Sequence, residues 1–194
     1  MDAASVAALV AFWSDPADGE AAKSQELILG LLRGTPAPFS RDQFEPGHLT
    51  GTACVLHPSE RAVLLVHHAK LDRWLLPGGH VEIGVDTDPA STARREAEEE
   101  SGVQIDASAP PRLVGLDVHF IPARKKDPFH LHHDLIYRFQ ASSPVLGGSE
   151  EVREVVWCGV DSFDRFDVPA PIRRAVQRSF GGPVNIPSSA SAHR

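Results

Sequence analysis

Between Asp88 and Gly102 the chain carries a full set of helix start and stop signals around a strongly acidic run. Asp88 suits an N-cap, Pro89 the first helical position and Gly102 the residue just past the end, which predicts a helix over 89–101. Four of the five residues 96–100 are glutamate. On a helix Glu96, Glu99 and Glu100 stand at i, i+3 and i+4 and share a face, whereas Glu98 points about 200° away from Glu96 and looks outward. Ala90, Ala93 and Ala97 give a small-residue face that lets such a helix lie close to a sheet. Like charges at this spacing cost roughly 0.2–0.5 kcal/mol per pair unless something offsets them. Mg²⁺ or Mn²⁺, hard ions that prefer oxygen ligands, would offset them well. The competing reading is a solvated acidic helix face. The Gly78-Gly79 pair upstream favours the metal, because a glycine backbone can approach the same helix end with its carbonyls facing an ion.

The chain around this segment reads as mostly strands. Thr50–Leu56, Ala62–His68, Arg73–Leu76, Leu113–Ile121, Leu131–Gln140 and Val152–Val156 carry strand patterns. The third of these is ended by a Pro77-Gly78-Gly79 turn. Ala170–Phe180 suits a closing helix. Strands that surround a helix without regular βαβ alternation favour a mixed α/β fold over a doubly wound one. Residues 3–34 read as helical with a break at Asp15-Pro16, and Pro36, Pro38, Pro46 and Gly47 mark a linker. These signals divide the chain into an N-terminal helical extension over 1–45, a domain over 46–181 and a disordered tail over 182–194. For the extension, dimerisation, a cap over the pocket and plain support all stay open.

Charge narrows the function classes. The 26 acidic residues against 19 Lys plus Arg, a formal net charge of −7, argue against a protein that coats nucleic acid. They do not argue against a phosphate-bearing substrate, since a bound metal reverses the local sign. No apolar run approaches the ~20 residues needed to cross a bilayer. Asp2 precedes the short apolar stretch Val6–Trp13 where a signal peptide wants Lys or Arg, so a cytoplasmic protein is expected. Cys54 and Cys158 sit in apolar runs and read as buried free thiols.

Gly79, the run Arg95-Glu96-Ala97-Glu98-Glu99-Glu100 and Ser101-Gly102-Val103 resemble the signature of the Nudix hydrolases, the MutT-like family. That signature is G-x5-E-x7-R-E-U-x-E-E-x-G-U, with U aliphatic. Arg73-Trp74-Leu75-Leu76-Pro77-Gly78 resembles the usual approach to the box, and a weaker likeness spans 48–180, including Val152–Trp157 and Asp161–Phe163. The resemblance implies an α/β (α+β) fold, an α/β/α sandwich with a mixed central sheet. It implies hydrolysis of a diphosphate bond in a small molecule by water attacking phosphorus, with Mg²⁺ or Mn²⁺ as cofactor and neither a nucleic-acid polymer nor a membrane as partner. A homodimer stays possible. By the same resemblance Glu99 and Glu100 are metal ligands, and Glu96 is a further ligand or the group orienting the base. Arg95 pairs with a glutamate to hold the helix, and the Gly78 or Gly79 carbonyl completes the metal's coordination. Glu82 is a supporting ligand or an exposed loop carboxylate, and Glu151 a late carboxylate serving as base or extra ligand.

One departure stands out. Fifteen residues separate Gly79 from Arg95, two more than in the signature, and its loop glutamate is missing in register, with Val85 or Thr87 in its place. Asp86 or Asp88 is left to take the orienting role on a longer loop. A second class of function, a Nudix-like module that binds a metabolite without turning it over, would be expected to lose the acidic ligands, which all remain.

Ten histidines are many for this length. His130, His132 and Asp134 alternate along one strand face, as do Asp117 and His119 on the strand before. H-x-H can hold zinc, yet no cysteine lies nearby and no third ligand is apparent, so a face lining the substrate cleft is the favoured reading. Lys70 and Arg73 are phosphate-clamp candidates. Arg124-Lys125-Lys126 reads as a solvated turn or a contact for a substrate's distal phosphates, Trp74 as core rather than a base-stacking platform, and His80, beside the box, as a phosphate or metal neighbour or a solvated loop residue.

Overall fold

The structure, a computed structural model, describes residues 1–69, 71–124, 126–149 and 152–181. Lys70, Lys125, Glu150, Glu151 and the expected tail over 182–194 lie outside the described residues. Two helices open the chain, α1 (Ala3–Phe12) and α2 (Gly19–Gly34), with Asp2 and Asp18 as their side-chain N-caps. The break between them includes the Asp15-Pro16 step, as the sequence predicts.

Among the described residues, seven strands form one mixed sheet. Its centre is β1 (Gly47–Leu56), joined in parallel along its whole length to β6 (His130–Gln140), from Gly47 opposite Leu131 to Leu56 opposite Gln140. β5 (Arg112–Ile121) runs antiparallel along the far side of β6. On its other side, β1 pairs at its start with β4 (Gly78–His80) and at its end with β2 (Ala62–His68). β2 in turn carries β3 (Arg73–Leu75) and β7 (Val152–Gly159).

The helices cover both faces of this sheet. Leu49, Ala53 and Val55 of β1 and Leu135, Tyr137 and Phe139 of β6 pack against α1, α2 and α3 (Pro89–Ser101) through Val6, Val10, Ile28, Leu31, Ala93 and Ala97. The opposite face, with Cys54, Leu56, Val63, Leu65 and Ile136, packs on Ile172, Ala175 and Val176 of α4 (Ala170–Ser179). The fold is therefore an α/β/α sandwich. No helix among the described residues is long and apolar enough to cross a membrane.

The caps of α3 act as the sequence suggests. Asp88 and Ser91 form a reciprocal capping box, Pro89 opens the helix, and Gly102 ends it at φ 64°. Docking against the sheet depends on Gly51, where a Cβ would fall 2.5 Å from the Pro89 carbonyl oxygen. The buried Ala93 and Ala97 meet this bare stretch of β1. The expected turn at Pro77-Gly78-Gly79 needs correction, because Gly78 and Gly79 instead open β4, opposite Thr52 and Gly51. A side chain at Gly78 would run into Thr52, so two glycines, poor strand formers in isolation, are what fits so close to β1.

The N-terminal helices are also tied to α4. Arg178 pairs with Asp15 and Asp18 at 2.5 Å each, and Arg174 pairs with Asp18 at 2.7 Å. Burial alone would raise the Asp18 carboxyl, but the Ala21 N–H and the two guanidiniums hold it below the usual carboxylate range. Cys54 and Cys158 are buried free thiols, and burial raises them to about 12 and about 11. Trp74 is half-buried and packs edge-on against Phe166, 5.0 Å between centroids, at the border of the α4-side core.

Candidate functional site: an acidic helix beside an imidazole cluster

Arg95 is the hub of the acidic face of α3. Its guanidinium bonds both Asp86 oxygens at 3.1 and 3.0 Å, Glu96 and Glu99 at 3.0 Å each, and the His80 carbonyl at 2.9 Å. Glu82 stands farther off at 3.8 Å, with its side chain mostly exposed. Asp86, whose side chain is 3% exposed, also accepts from the Glu82 N–H at 2.8 Å and the Thr92 hydroxyl at 3.0 Å. Burial would push its carboxyl up, but the Arg95, Glu82 and Thr92 hydrogen bonds hold it below the usual range. The Asp86 bonds, against burial, raise Arg95 above its ordinary value, and the Glu96 charge adds to this. Asp86 thus braces the long loop to the helix, while Asp88 serves as the helix cap. The extra residues in the loop move the brace from a glutamate to Asp86.

The three glutamates do not converge on one point. Glu96 and Glu99 turn to Arg95, whereas Glu100, 6% exposed, accepts from the Gly78 N–H at 3.3 Å. Glu96 lies flat against β4, since a Cβ at Gly79 would fall 2.5 Å from its carboxylate. Glu99 is the open member, with a side chain 59% exposed. Glu98 pairs with Arg94 at 2.9 Å, away from this group. All the donors here are oxygens, carboxylate or backbone, the set a hard divalent ion prefers.

The other phosphate-clamp candidate, Arg73, sits exposed on the edge strand β3, which β2 separates from β1. A cleft of about 380 Å³ opens between the linker Pro36–Ser40 and the box loop, lined in part by Val81, Ile83 and Asp86.

On the α4-side face of the sheet, the parallel register sets His48 beside His132. Their centroids lie 4.9 Å apart, and His130 is 5.0 Å from His48 and 5.3 Å from His132. One ligand atom from each of these three lies within 4.8 Å of the other two. The H-x-H pair, for which the sequence makes no third ligand apparent, thus has a third histidine beside it: His48 arrives from a strand more than eighty residues earlier. Of the two readings of His80, the solvated loop residue does not hold. It is half-buried and part of the cluster, 5.0 Å from His48 and 5.1 Å from His132 between centroids. Burial, and then the neighbouring His48, lower it to about 4. His133 points to the other face, buried.

Next along the same face, Asp117, His119 and Asp134 form a second close group. Asp117 faces Asp134 and His119 faces His132 across the β5–β6 ladder. His119 bonds Asp117 at 3.2 Å and approaches Asp134 at 3.5 Å, and Thr50 donates to Asp134. Burial opposes protonation of His119, yet the Asp117 and Asp134 carboxylates beside it raise it to about 9.

The NUDIX domain model matches residues 47–178 of the chain. No curated protein matches it by sequence. Among solved structures, the E. coli dihydroneopterin triphosphate pyrophosphohydrolase is 18% identical, over 67% of this chain and 92% of that one, with a TM-score of 0.53. A NUDIX-family hydrolase from Clostridium perfringens is 20% identical, over 68% and 97%, with a TM-score of 0.49. The NUDIX domain of Shewanella oneidensis NrtR, solved with ADP ribose, is 19% identical, over 78% and 92%, with a TM-score of 0.48. The match to the domain model covers more than half of the chain, from the first strand into the last helix, and the chain belongs to the Nudix family.

Proposed function

We propose that the chain is a Mg²⁺- or Mn²⁺-dependent hydrolase that cleaves the P–O–P bond of a nucleoside-diphosphate-linked or related small molecule, with water attacking phosphorus. The observation that carries this reading is the seating of Glu96 and Glu100 against the bare backbone of β4, with Arg95 and Asp86 locking the helix in place. Glu96, Glu99 and Glu100 would hold the ion, with the Gly78 or Gly79 carbonyl beside them. When bound, the ion supplies charge neutralisation on the diphosphate and lowers the barrier to water attack.

The chain's own groups divide the remaining work. Arg95 fixes the directions of Glu96 and Glu99, so the carboxylates are positioned before substrate arrives. Glu99, the exposed member, faces incoming substrate. Glu82 supports the loop rather than the centre. We assign the hydrolase to residues 46–181 and read 1–45 as an extension whose linker walls one side of the cleft by the box loop. Lys70 and Glu151 stay candidates for phosphate binding and for base or extra ligand.

The test is a panel of diphosphate compounds incubated with Mg²⁺ or Mn²⁺, with Glu99→Gln and Glu100→Gln as controls. Each substitution is expected to lower kcat at least about 100-fold, roughly 2.7 kcal/mol in barrier. Tight binding of one compound without any turnover would point instead to a binding module. Undiminished cleavage in both variants would remove these glutamates from the site.

A further inference from the structure

The four-imidazole cluster on β1, β4 and β6 lies outside the machinery proposed for diphosphate cleavage. Two backbone carbonyls fix how its rings are used. His48 Nδ1 bonds the Gln43 carbonyl at 3.1 Å, and His130 Nδ1 bonds the Pro128 carbonyl at 2.8 Å. A carbonyl only accepts, so both Nδ1 atoms carry a proton, and in the neutral imidazole form each Nε2 keeps its lone pair. His48 is 1% exposed, and its Nε2 has no hydrogen-bond partner among the described residues. A buried acceptor without a partner is costly, and native structures ordinarily explain one with a water or an ion.

The surroundings select an ion over chance crowding. A ligating histidine commonly donates its second nitrogen to a backbone carbonyl, which fixes tautomer and ring direction, and His48 and His130 both do so. The ligand atoms of His48, His130 and His132 already lie within 4.8 Å of one another, so modest ring movements bring three nitrogens to the ~2.0–2.1 Å typical of zinc. Phe44 closes one side, its ring 5.1 Å from His130 between centroids. His132 and His80, on the other side, are half-buried.

We propose that His48, His130 and His132 form a second metal site, selective for a divalent ion that prefers imidazole, Zn²⁺ above all, with its fourth position on the His80 side. Imidazole nitrogen discriminates against Mg²⁺, so this site and the glutamate site take different ions. Its ligands come from two strands, β1 and β6, and the neighbouring β4 leads to the acidic helix: Gly78 and Gly79 abut Glu100 and Glu96, and His80 follows directly.

The test uses full-length protein stripped with a chelator and titrated with Zn²⁺ by calorimetry and with Co²⁺ by visible absorption. Wild type is expected to bind one equivalent of Zn²⁺ at this site and to give the strong visible bands of tetrahedral Co²⁺. The Glu99→Gln/Glu100→Gln double variant should keep both signals, which separates this site from the glutamates. His130→Ala and His132→Gln should weaken binding by more than the roughly 10–100-fold that losing an outer-shell partner costs. His132 is partly exposed, so its variant should keep the wild-type near-UV circular dichroism even if loss of buried His130 impairs folding. Absence of tetrahedral Co²⁺ bands in wild type, or their full retention in folded His132→Gln, would overturn the proposal. Absence of diphosphate cleavage by the wild type with its Co²⁺ signal intact would count against the function proposed above and leave this site standing.

Discussion

The acidic face of α3 is organised by a side-chain cation, whereas two rings of the imidazole cluster across the sheet are held by backbone carbonyls. Arg95 reaches Asp86, Glu96 and Glu99 at once, so mutual repulsion among carboxylates is largely settled before any metal arrives. His48, His130 and His132 instead gather without a guanidinium hub, and two of them bond backbone carbonyls through Nδ1. The first arrangement stabilises the fold with or without metal. The second leaves the buried His48 Nε2 without a hydrogen-bond partner among the described residues, a cost that something external can relieve.

That contrast can be broken most forcefully at Arg95. Arg95→Met leaves Asp86 buried without its counter-charge and should lower unfolding free energy by about 3 kcal/mol, read by urea titration, with Mg²⁺ restoring part of it. An unchanged midpoint would mean that solvent already screens these charges. Gly51→Ala probes the docking of α3 rather than its charges. The new methyl meets backbone at 2.5 and 2.9 Å, so about 1–3 kcal/mol and most of the cleavage activity should be lost while Co²⁺ binding at the histidines persists.

His132→Leu in metal-free buffer sharpens the other half of the contrast. It should shift stability by less than about 1.5 kcal/mol, because it strands no buried charge. A larger loss would reveal structural work the imidazole does unaided. Acid titration gives the smallest signal. Asp86 is depressed in the folded state, so its contribution is present above the unfolded value of about 3.9 and is lost as pH falls through the folded value. The stability gap between wild type and Asp86→Asn should therefore hold steady above about pH 5 and narrow below about pH 4. A gap that held constant on acidification would place the effect of Asp86 in its packing.

Local signals in the sequence located one of the two regions and not the other. Asp88, Pro89 and Gly102 fix α3 from its ends, and the observed Pro89–Ser101 agrees with the predicted 89–101 because caps are short-range chemistry. The Asp86 brace was legible as one of two candidates, since an acidic side chain on the long loop has few places to go. β4 was not legible, because Gly78 and Gly79 look like a turn until Thr50–Thr52 supplies the strand they pair with. The cluster was hidden for the same reason. His130 and His132 share a face by period-two alternation, but His48 joins them only through a parallel pairing that no local pattern encodes.

The ion pairs from Asp15 and Asp18 to Arg174 and Arg178 also bear on how the molecule is made. They connect positions about 160 residues apart, so the first two helices cannot be locked in place until α4 has left the ribosome. Until then the apolar stripe of Val6, Val10, Ile28 and Leu31 can meet the growing sheet, but its fastening is absent. Contacts of such long range slow folding. A chain released before residue 174 would therefore expose its earliest helices to proteolysis, although every residue of those helices had already been synthesised.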